Sequence, residues 1–271
     1  MDDAPLPTRR FRLDLAYDGR PFSGWQSQRG GGTVQDAVES ALAAICPAVV
    51  SAQGSGRTDA GVSATGQVAH CDAPAASRMG GREWRRALNA TLPPTIRATA
   101  CREIAPAFHA RFSAVEKTYD YAIAIGEVLP PLRRGLAWHQ PGLGPADALA
   151  AILARYEGTR DFRPFSAKRH DGRDEARDTR RTLHEASLRE SGDGDELVLR
   201  FRGNGFLYKM VRFLVGTAVY VLRGRIADGA FDILLDGGGA KAPYCAPADG
   251  LTLVSVRYPA EFEMPRPDDA R

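Results

Sequence analysis

From Val115 to Ile125 the chain alternates, with Val115, Lys117, Tyr119, Tyr121, Ile123 and Ile125 on one face. A period of two over that length fits a β-strand and no helix. The same reading applies to Arg10 to Tyr17, where Phe11, Leu13, Leu15 and Tyr17 share a face and Arg12 and Asp14 the other. Helical spacing takes over between the strands. Val34, Ala37, Val38, Ala41, Leu42 and Ile45 follow Thr33, an N-cap residue with Asp36 in the first turn. Further strands are expected at Ala48 to Gln53, Gln67 to Asp72, Ile96 to Ile104 and Leu251 to Tyr258. Thr182 to Arg189 and Glu196 to Arg202 pair as a hairpin across Ser191-Gly192-Asp193-Gly194. Helices are expected at Trp84 to Leu88, Asp147 to Tyr156, Phe206 to Leu222 and near Phe231 to Leu235, and a long mobile loop from Arg160 to Arg181.

This mixed order predicts an α+β fold, two similar α/β halves sharing a mostly antiparallel central sheet with flanking helices. The expected division is a flexible tail at 1–8, an N-terminal half at 9–113, a C-terminal half at 114–260 and a second tail at 261–271. The 271 residues suffice for a sizeable core. Lys209 and Arg212 interrupt the longest apolar stretch, so no segment reads as a membrane span. Acids and prolines in Met1 to Arg10 stand where a signal peptide needs an apolar core, and the expected location is cytoplasmic.

Several chemistries lack their signatures. Cysteines 46, 71, 101 and 245 are scattered without a Cys-x-x-Cys pair, and His70, His109, His139, His170 and His184 form no His-Glu-x-x-His, so no metal is expected. There is no phosphate-binding Gly-x-x-x-x-Gly-Lys-Ser/Thr, and Ser23 and Ser55 do not sit in Gly-x-Ser-x-Gly. Asp59 is better placed for chemistry. It lies in Gly54-Ser55-Gly56-Arg57-Thr58-Asp59-Ala60-Gly61-Val62, where three glycines permit positive φ and close approach by a bulky ligand. The competing reading is a turn that closes two strands, with Asp59 capping nearby amides and Arg57 as a surface cation.

The formal net charge is only +3, so distribution says more than balance. Arg200, Arg202, Lys209, Arg212, Arg223 and Arg225 make a one-sign segment interleaved with Phe201, Phe206, Tyr208, Phe213 and Tyr220. That mixture suits phosphate neutralisation and base stacking. It suits equally an amphipathic helix with core aromatics and solvated cations.

Gly56-Arg57-Thr58-Asp59-Ala60-Gly61-Val62 with Gly66-Gln67-Val68 resembles the signature of the TruA-type tRNA pseudouridine synthases. Tyr17-Asp18-Gly19, Phe22-Ser23-Gly24-Trp25-Gln26, Asn89 to Pro93, Phe108-His109-Ala110-Arg111-Phe112-Ser113, Lys117-Thr118-Tyr119-Asp120-Tyr121, Met210-Val211-Arg212 with Gly216, and Gly250-Leu251 follow in the family's order. The resemblance runs from about Phe11 to Tyr258; it departs at Ser63, where the family usually has histidine.

The resemblance implies isomerisation of uridine to pseudouridine at positions 38, 39 and 40 of the tRNA anticodon stem-loop, without a cofactor. The base leaves C1′ at N1, turns and rejoins through C5. Asp59 is the implied catalytic carboxylate, a suitable partner for an electron-poor sugar carbon. Arg57 and Arg212 are implied partners that favour its ionised form. Tyr119 would stack on the target base and relay the C5 proton, and Leu251 would pack against the uracil. Phe108, His109 and Arg111, with Lys209, are the implied RNA contacts around an extruded nucleotide. Each has a plainer alternative: a phosphate contact or solvated helix face for Arg212, and core positions for Tyr119, Leu251 and the Phe108 segment. Family members act as homodimers. The alternatives to the enzyme are an inactive RNA-binding protein of the same fold and a DNA-binding or assembly protein using the one-sign segment.

Overall fold

The computed structural model describes residues 7–49, 51–168, 178–190, 194–239 and 241–263. The expected tails over 1–6 and 264–271, the middle of the expected Arg160 to Arg181 loop (169–177) and most of the Ser191 to Gly194 turn (191–193) lie outside these residues. The described residues form an α+β fold, a mixed sheet with α-helices, and divide into two compact units. One comprises Met1–Val115 with Leu253–Arg271, and the other Glu116–Thr252. The sequence-based division instead fell at 113/114 and kept the last strand with the second half.

In the first unit, β1 (Thr8–Tyr17) pairs antiparallel with β3 (Ser63–Pro74) on one side and β4 (Ile96–Ile104) on the other. Phe11, Leu13, Leu15 and Tyr17 are buried, as their alternation demands. Arg12 on the opposite face is buried too. Its guanidinium lies 4.8 Å from the Tyr258 ring centre and pairs with Asp14 at 2.8 Å, so the chain beyond the last strand covers that face. α1 (Val34–Ile45) begins where Thr33 Oγ1 accepts from Asp36 N and Asp36 Oδ2 accepts from Thr33 N, both at 3.1 Å. Such a reciprocal cap satisfies two of the donors a helix start leaves open. α2 (Gly81–Thr91) buries Trp84 and Leu88 on one side, Trp84 packing 5.8 Å from Phe11, and exposes Arg82, Arg85 and Arg86 on the other. Burial of each such large ring contributes about 2–3 kcal/mol. Asn89 then donates to Ala98 O and accepts from Ala98 N, fastening α2 to β4.

Of the strand expected at Ala48 to Gln53, in which residue 50 lies outside the described residues, the structure has β2 (Gln53–Gly54), antiparallel to β3 with Gln53 opposite His70. Its run is too short to alternate. β2 nevertheless matters, because it feeds the Asp59 loop.

In the second unit, β5 (Glu116–Ala124) pairs antiparallel with β9 (Glu196–Gly203), and β9 with β8 (Arg180–Glu190). Two short strands carry no periodic signal in the sequence. β6 (Trp138–His139) runs parallel to β5, and β7 (Gly158–Asp161) pairs with β8 in part of the chain expected to be loop. Thr159 and Thr182 hydroxyls meet at 2.8 Å across that last pair. α3 (Ala146–Ala154), α4 (Met210–Leu222) and α5 (Asp228–Leu235) complete the unit, with β10 (Leu251–Arg257) divided between the two units after Thr252. α4 is buried at nine consecutive positions apart from Arg212 among Met210 to Val219, so it is a core helix rather than an amphipathic one.

Candidate active site

Asp59 follows β2 in a loop held from beneath by buried polar side chains. Gln67, on β3, has no exposed surface. Its Oε1 accepts from Ser55 Oγ at 2.7 Å, and its Nε2 donates to Gly56 O at 3.1 Å and to Tyr17 Oη at 3.3 Å. Tyr17 Oη, having accepted from Gln67, lies 2.9 Å from Thr58 Oγ1 and can give its own proton there. Burial pushes the Tyr17 hydroxyl up to about 12, so it stays protonated in this role. Four buried groups therefore fix the backbone on both sides of Arg57.

The loop is also gripped from its outer side. Trp25 N donates to Thr58 O and Gly61 N to Phe22 O, while Val62 N closes the turn on Asp59 O at 3.1 Å. Gly24 has φ +93°, and a Cβ there would stand 2.7 Å from Thr58 O. Only glycine fits that approach. Ser63, where the family usually has histidine, accepts from Gly19 N through Oγ at 3.0 Å. Tyr17-Asp18-Gly19 and Phe22 to Gln26, separate in sequence from the Asp59 run, thus form its cradle. Asp59 itself is half-buried. Arg57 is exposed and its Nε donates to Gln26 Oε1 at 3.2 Å.

The Phe108 segment sits at the start of the same loop. His109 Nε2 meets Gln53 Oε1 at 3.0 Å, and the His109 ring lies 4.6 Å from the His70 ring. Phe108 is fully buried, packed on Tyr258, Phe262 and His70. The expected RNA contact at Phe108 needs correction for that reason: a ring with no exposed surface supports the segment from the core. His109 is half-buried and Arg111 exposed.

The other sequence-derived positions belong to the second unit. Tyr119, on β5, is buried with Phe206 at its edge, ring centres 5.0 Å apart. Leu251 opens β10 and is 7% exposed. Arg212, in the first turn of α4, donates from Nε to Ala246 O at 2.7 Å. Lys209 precedes α4 in the left-handed conformation, φ 60° and ψ 12°, with its ammonium 5.2 Å from the Tyr208 ring centre.

A family model described as tRNA pseudouridine synthase matches residues 152–259. Over 259 residues the chain is 44% identical to a tRNA pseudouridine synthase A of Akkermansia muciniphila, covering 93% of this chain and 96% of the relative. The chain belongs to the tRNA pseudouridine synthase family. Relatives from Solidesulfovibrio magneticus and Solibacter usitatus, also tRNA pseudouridine synthases A, are 43% and 41% identical, with coverage of 93% and 92% of this chain and 92% and 100% of theirs. The protein is thus an isomerase of this family. Among the described residues no helix is long and apolar enough to cross a membrane, and no group of three or more His, Cys, Asp or Glu could hold a metal ion.

Within this family the one-sign segment needs a different account from the one its composition suggests. Arg200 makes two 2.7 Å bonds to Asp120, Arg202 bridges Glu116 and Glu185, and Arg212 bonds backbone. Half of its cations are therefore engaged within the second unit. Arg223 and Arg225 of the segment are exposed, and further exposed cations stand at Arg82 and Arg86 of α2, which alternating charge around Glu83 disguised in the sequence.

Two measurable consequences follow from local strain and burial. Lys209 is the single described non-glycine residue with positive φ, a conformation costing about 1–2 kcal/mol for an L side chain. Lys209→Gly is expected to raise the free energy of urea unfolding by about 0.5–1 kcal/mol. His70 is 3% exposed and its Nδ1 accepts from Ala110 N at 3.2 Å. Burial first, then Arg10 and His109, lowers it from 6.5 to about 4. The unfolded chain binds the extra proton between these values, so this contribution is full above pH 6.5 and is lost as pH falls to 4, up to about 3 kcal/mol. Urea unfolding across that window is expected to show the loss, and His70→Asn to flatten it.

Proposed function

We propose that the protein converts uridine to pseudouridine at positions 38, 39 and 40 of the tRNA anticodon stem-loop, with Asp59 as the catalytic carboxylate. The observation that carries this reading is the placement of Asp59: a half-buried carboxylate on a loop whose backbone is locked by Tyr17, Ser55, Thr58 and Gln67. A group acting on a sugar carbon has to be held to a fraction of an ångström, and a mobile surface aspartate is not. The cradle supplies that rigidity while leaving the carboxylate accessible. In the reaction the N1–C1′ bond breaks and a C5–C1′ bond forms; the proton at C5 is lost and N1 gains one. No atoms are exchanged with a second reactant.

The remaining assignments rest on the family resemblance, and the chemistry of each side chain suits its role. Tyr119 offers a ring for the extruded base and a hydroxyl for the C5 proton, Leu251 an apolar wall, and Arg212 a cation for the carboxylate or a phosphate. Arg57 is assigned to the substrate site as a partner of Asp59, and His109, Arg111 and Lys209 to RNA. A homodimer belongs to the same reading, and sedimentation of the purified protein tests it. The decisive experiment is site-resolved pseudouridine mapping in unmodified tRNA incubated with the protein. Product at 38, 39 or 40 is the expected result; product elsewhere in tRNA overturns the site, and tRNA binding without product favours an inactive RNA-binding protein.

A further inference from the structure

Arg57 carries a long, exposed guanidinium on the loop of Asp59, and its Nε is not left to solvent. The bond to Gln26 Oε1 is the outer end of a chain of side chains that runs back to α1. Gln26 Nε2 donates to Gln35 Oε1 at 2.7 Å, and Ser27 N donates to the same oxygen at 3.0 Å. Gln35 Nε2 donates to Glu39 Oε1 at 2.8 Å, and that carboxylate oxygen also accepts from Ala52 N at 2.9 Å, just before β2. Gln35 and Glu39 stand about one turn apart on α1, a spacing that brings helical side chains together. The helix start is itself docked. Val34 N donates to Gly24 O and Gln35 N to Trp25 O, while Trp25 N holds Thr58 O.

The direction of this chain is fixed by its ends. An ionised carboxylate only accepts and a guanidinium only donates, so neither can exchange roles. With Glu39 at one end, Gln35 has to turn its NH2 group inward and its carbonyl toward Gln26. Gln26 in turn has to present its carbonyl to Arg57. Stability does not call for such an arrangement: Gln26, Ser27 and Arg57 are exposed, and water would serve their polar groups nearly as well. Glu39 by itself already satisfies the N–H of the buried Ala52. What the two amides add is one fixed direction for the Arg57 guanidinium, in place of the many rotamers that an unrestrained arginine samples.

We infer that Gln35 is a positioning residue for the reaction: through Gln26 it holds the Arg57 guanidinium in one orientation on the loop of Asp59, with Glu39 setting the polarity of both amides. This rests on the proposed roles of Asp59 and Arg57 and extends them into α1.

The test uses the full-length protein and an unmodified tRNA transcript. Gln35→Met keeps the length of the side chain and removes its bonds; the single-turnover rate at saturating tRNA is expected to fall about tenfold. KM should stay within about threefold, because the guanidinium is needed at the reacting centre rather than in docking the RNA. Gln26→Met, at an exposed position, interrupts the same chain without touching α1 and should show the same loss. Gln35→Glu combined with Glu39→Gln rebuilds every bond with the charge moved one step toward Arg57. The carboxylate at position 35 accepts from Gln26, Ser27 and the amide at position 39, whose carbonyl accepts from Ala52 N. This double exchange should return the rate to within about threefold of the unsubstituted protein. In an Arg57→Met background, Gln35→Met is expected to change the rate by less than about twofold, since its effect has nothing left to act through. Unchanged rates in Gln35→Met and Gln26→Met overturn the inference. So does an equal loss in both backgrounds, which would mark a glutamine that only steadies α1, and so does a double exchange as slow as Gln35→Met. If the unsubstituted protein forms no pseudouridine, the proposed function fails instead. NMR relaxation of the Arg57 Nε–H group then decides the positioning by itself: order that is lost in Gln35→Met supports it, and equal mobility in both proteins overturns it.

Discussion

Asp59→Asn is expected to lower the rate of pseudouridine formation at least about a thousandfold, while shifting the free energy of unfolding by less than about 0.5 kcal/mol. The two halves of that expectation have separate origins. Asparagine has the same shape and leaves the Val62 N to Asp59 O turn bond in place. Loop geometry is set by Gln67, Tyr17, Ser55 and Thr58 beneath it, and by Gly24 and Trp25 outside, none of which is altered. What disappears is the anionic oxygen that supports or attacks an electron-deficient carbon, a function an amide cannot supply. Asp59→Glu separates charge from position. The charge is kept on an arm one methylene longer, and a displacement of about 1 Å is expected to cost about a hundredfold in rate. Single-turnover kinetics on tRNA, with urea unfolding of each variant, measures both halves. An active Asp59→Asn protein would remove the catalytic assignment; an unfolded one would place Asp59 in the structural lattice instead.

The legible parts of the fold were those whose burial is one-sided and whose neighbours are local. β1 and β4 showed their alternation or apolar content, and α1 declared its start through Thr33 and Asp36. β2, β6 and β7 did not, because two to four residues hold no period and form only against a partner strand far along the chain. α4 begins at Met210 rather than Phe206 because Lys209 turns left-handed before it, a tertiary requirement that no propensity announces. The ion pairs within the one-sign segment were hidden for a related reason. Arg200 is opposite Asp120 in the β5–β9 register, so the neutralising carboxylate is on another strand and the run looks unpaired when read alone.

For the site, the sequence supplied the glycine-lined Asp59 loop, and the family resemblance supplied its roles. Gln67 was quoted within a motif but its function was invisible, since a buried glutamine and a surface one look alike in sequence. Phe108 and Phe112 likewise share an alternating frame. Tyr258 and Phe262 cover the first and leave the second exposed.

Gln67 therefore carries the largest expected effect on stability. Gln67→Leu removes the acceptor for Ser55 Oγ and the donors to Gly56 O and Tyr17 Oη, while retaining an apolar side chain that fills much of the space. Each stranded group costs about 1–3 kcal/mol, but partners in one network relax together, so the total is expected at about 3 kcal/mol rather than the sum. Because Gly56 and Thr58 flank Arg57 and lead to Asp59, the loss should also appear in the rate. At 25 °C, in protein that is still folded, the rate of pseudouridine formation is expected to fall about tenfold or more as the carboxylate loses its fixed position. Gln67→Glu keeps an acceptor for Ser55 but loses the amide donors and buries a charge, and should be at least as destabilising at neutral pH. Partial recovery is expected as the pH is lowered and the glutamic acid gains a proton, which it can donate to Gly56 O. Urea unfolding of both variants between pH 5 and about pH 8, alongside single-turnover rates, distinguishes a network that holds the catalytic loop from a glutamine that merely fills space. In the second case Gln67→Leu would unfold within about 0.5 kcal/mol of the unsubstituted protein and Gln67→Glu would show no recovery in acid.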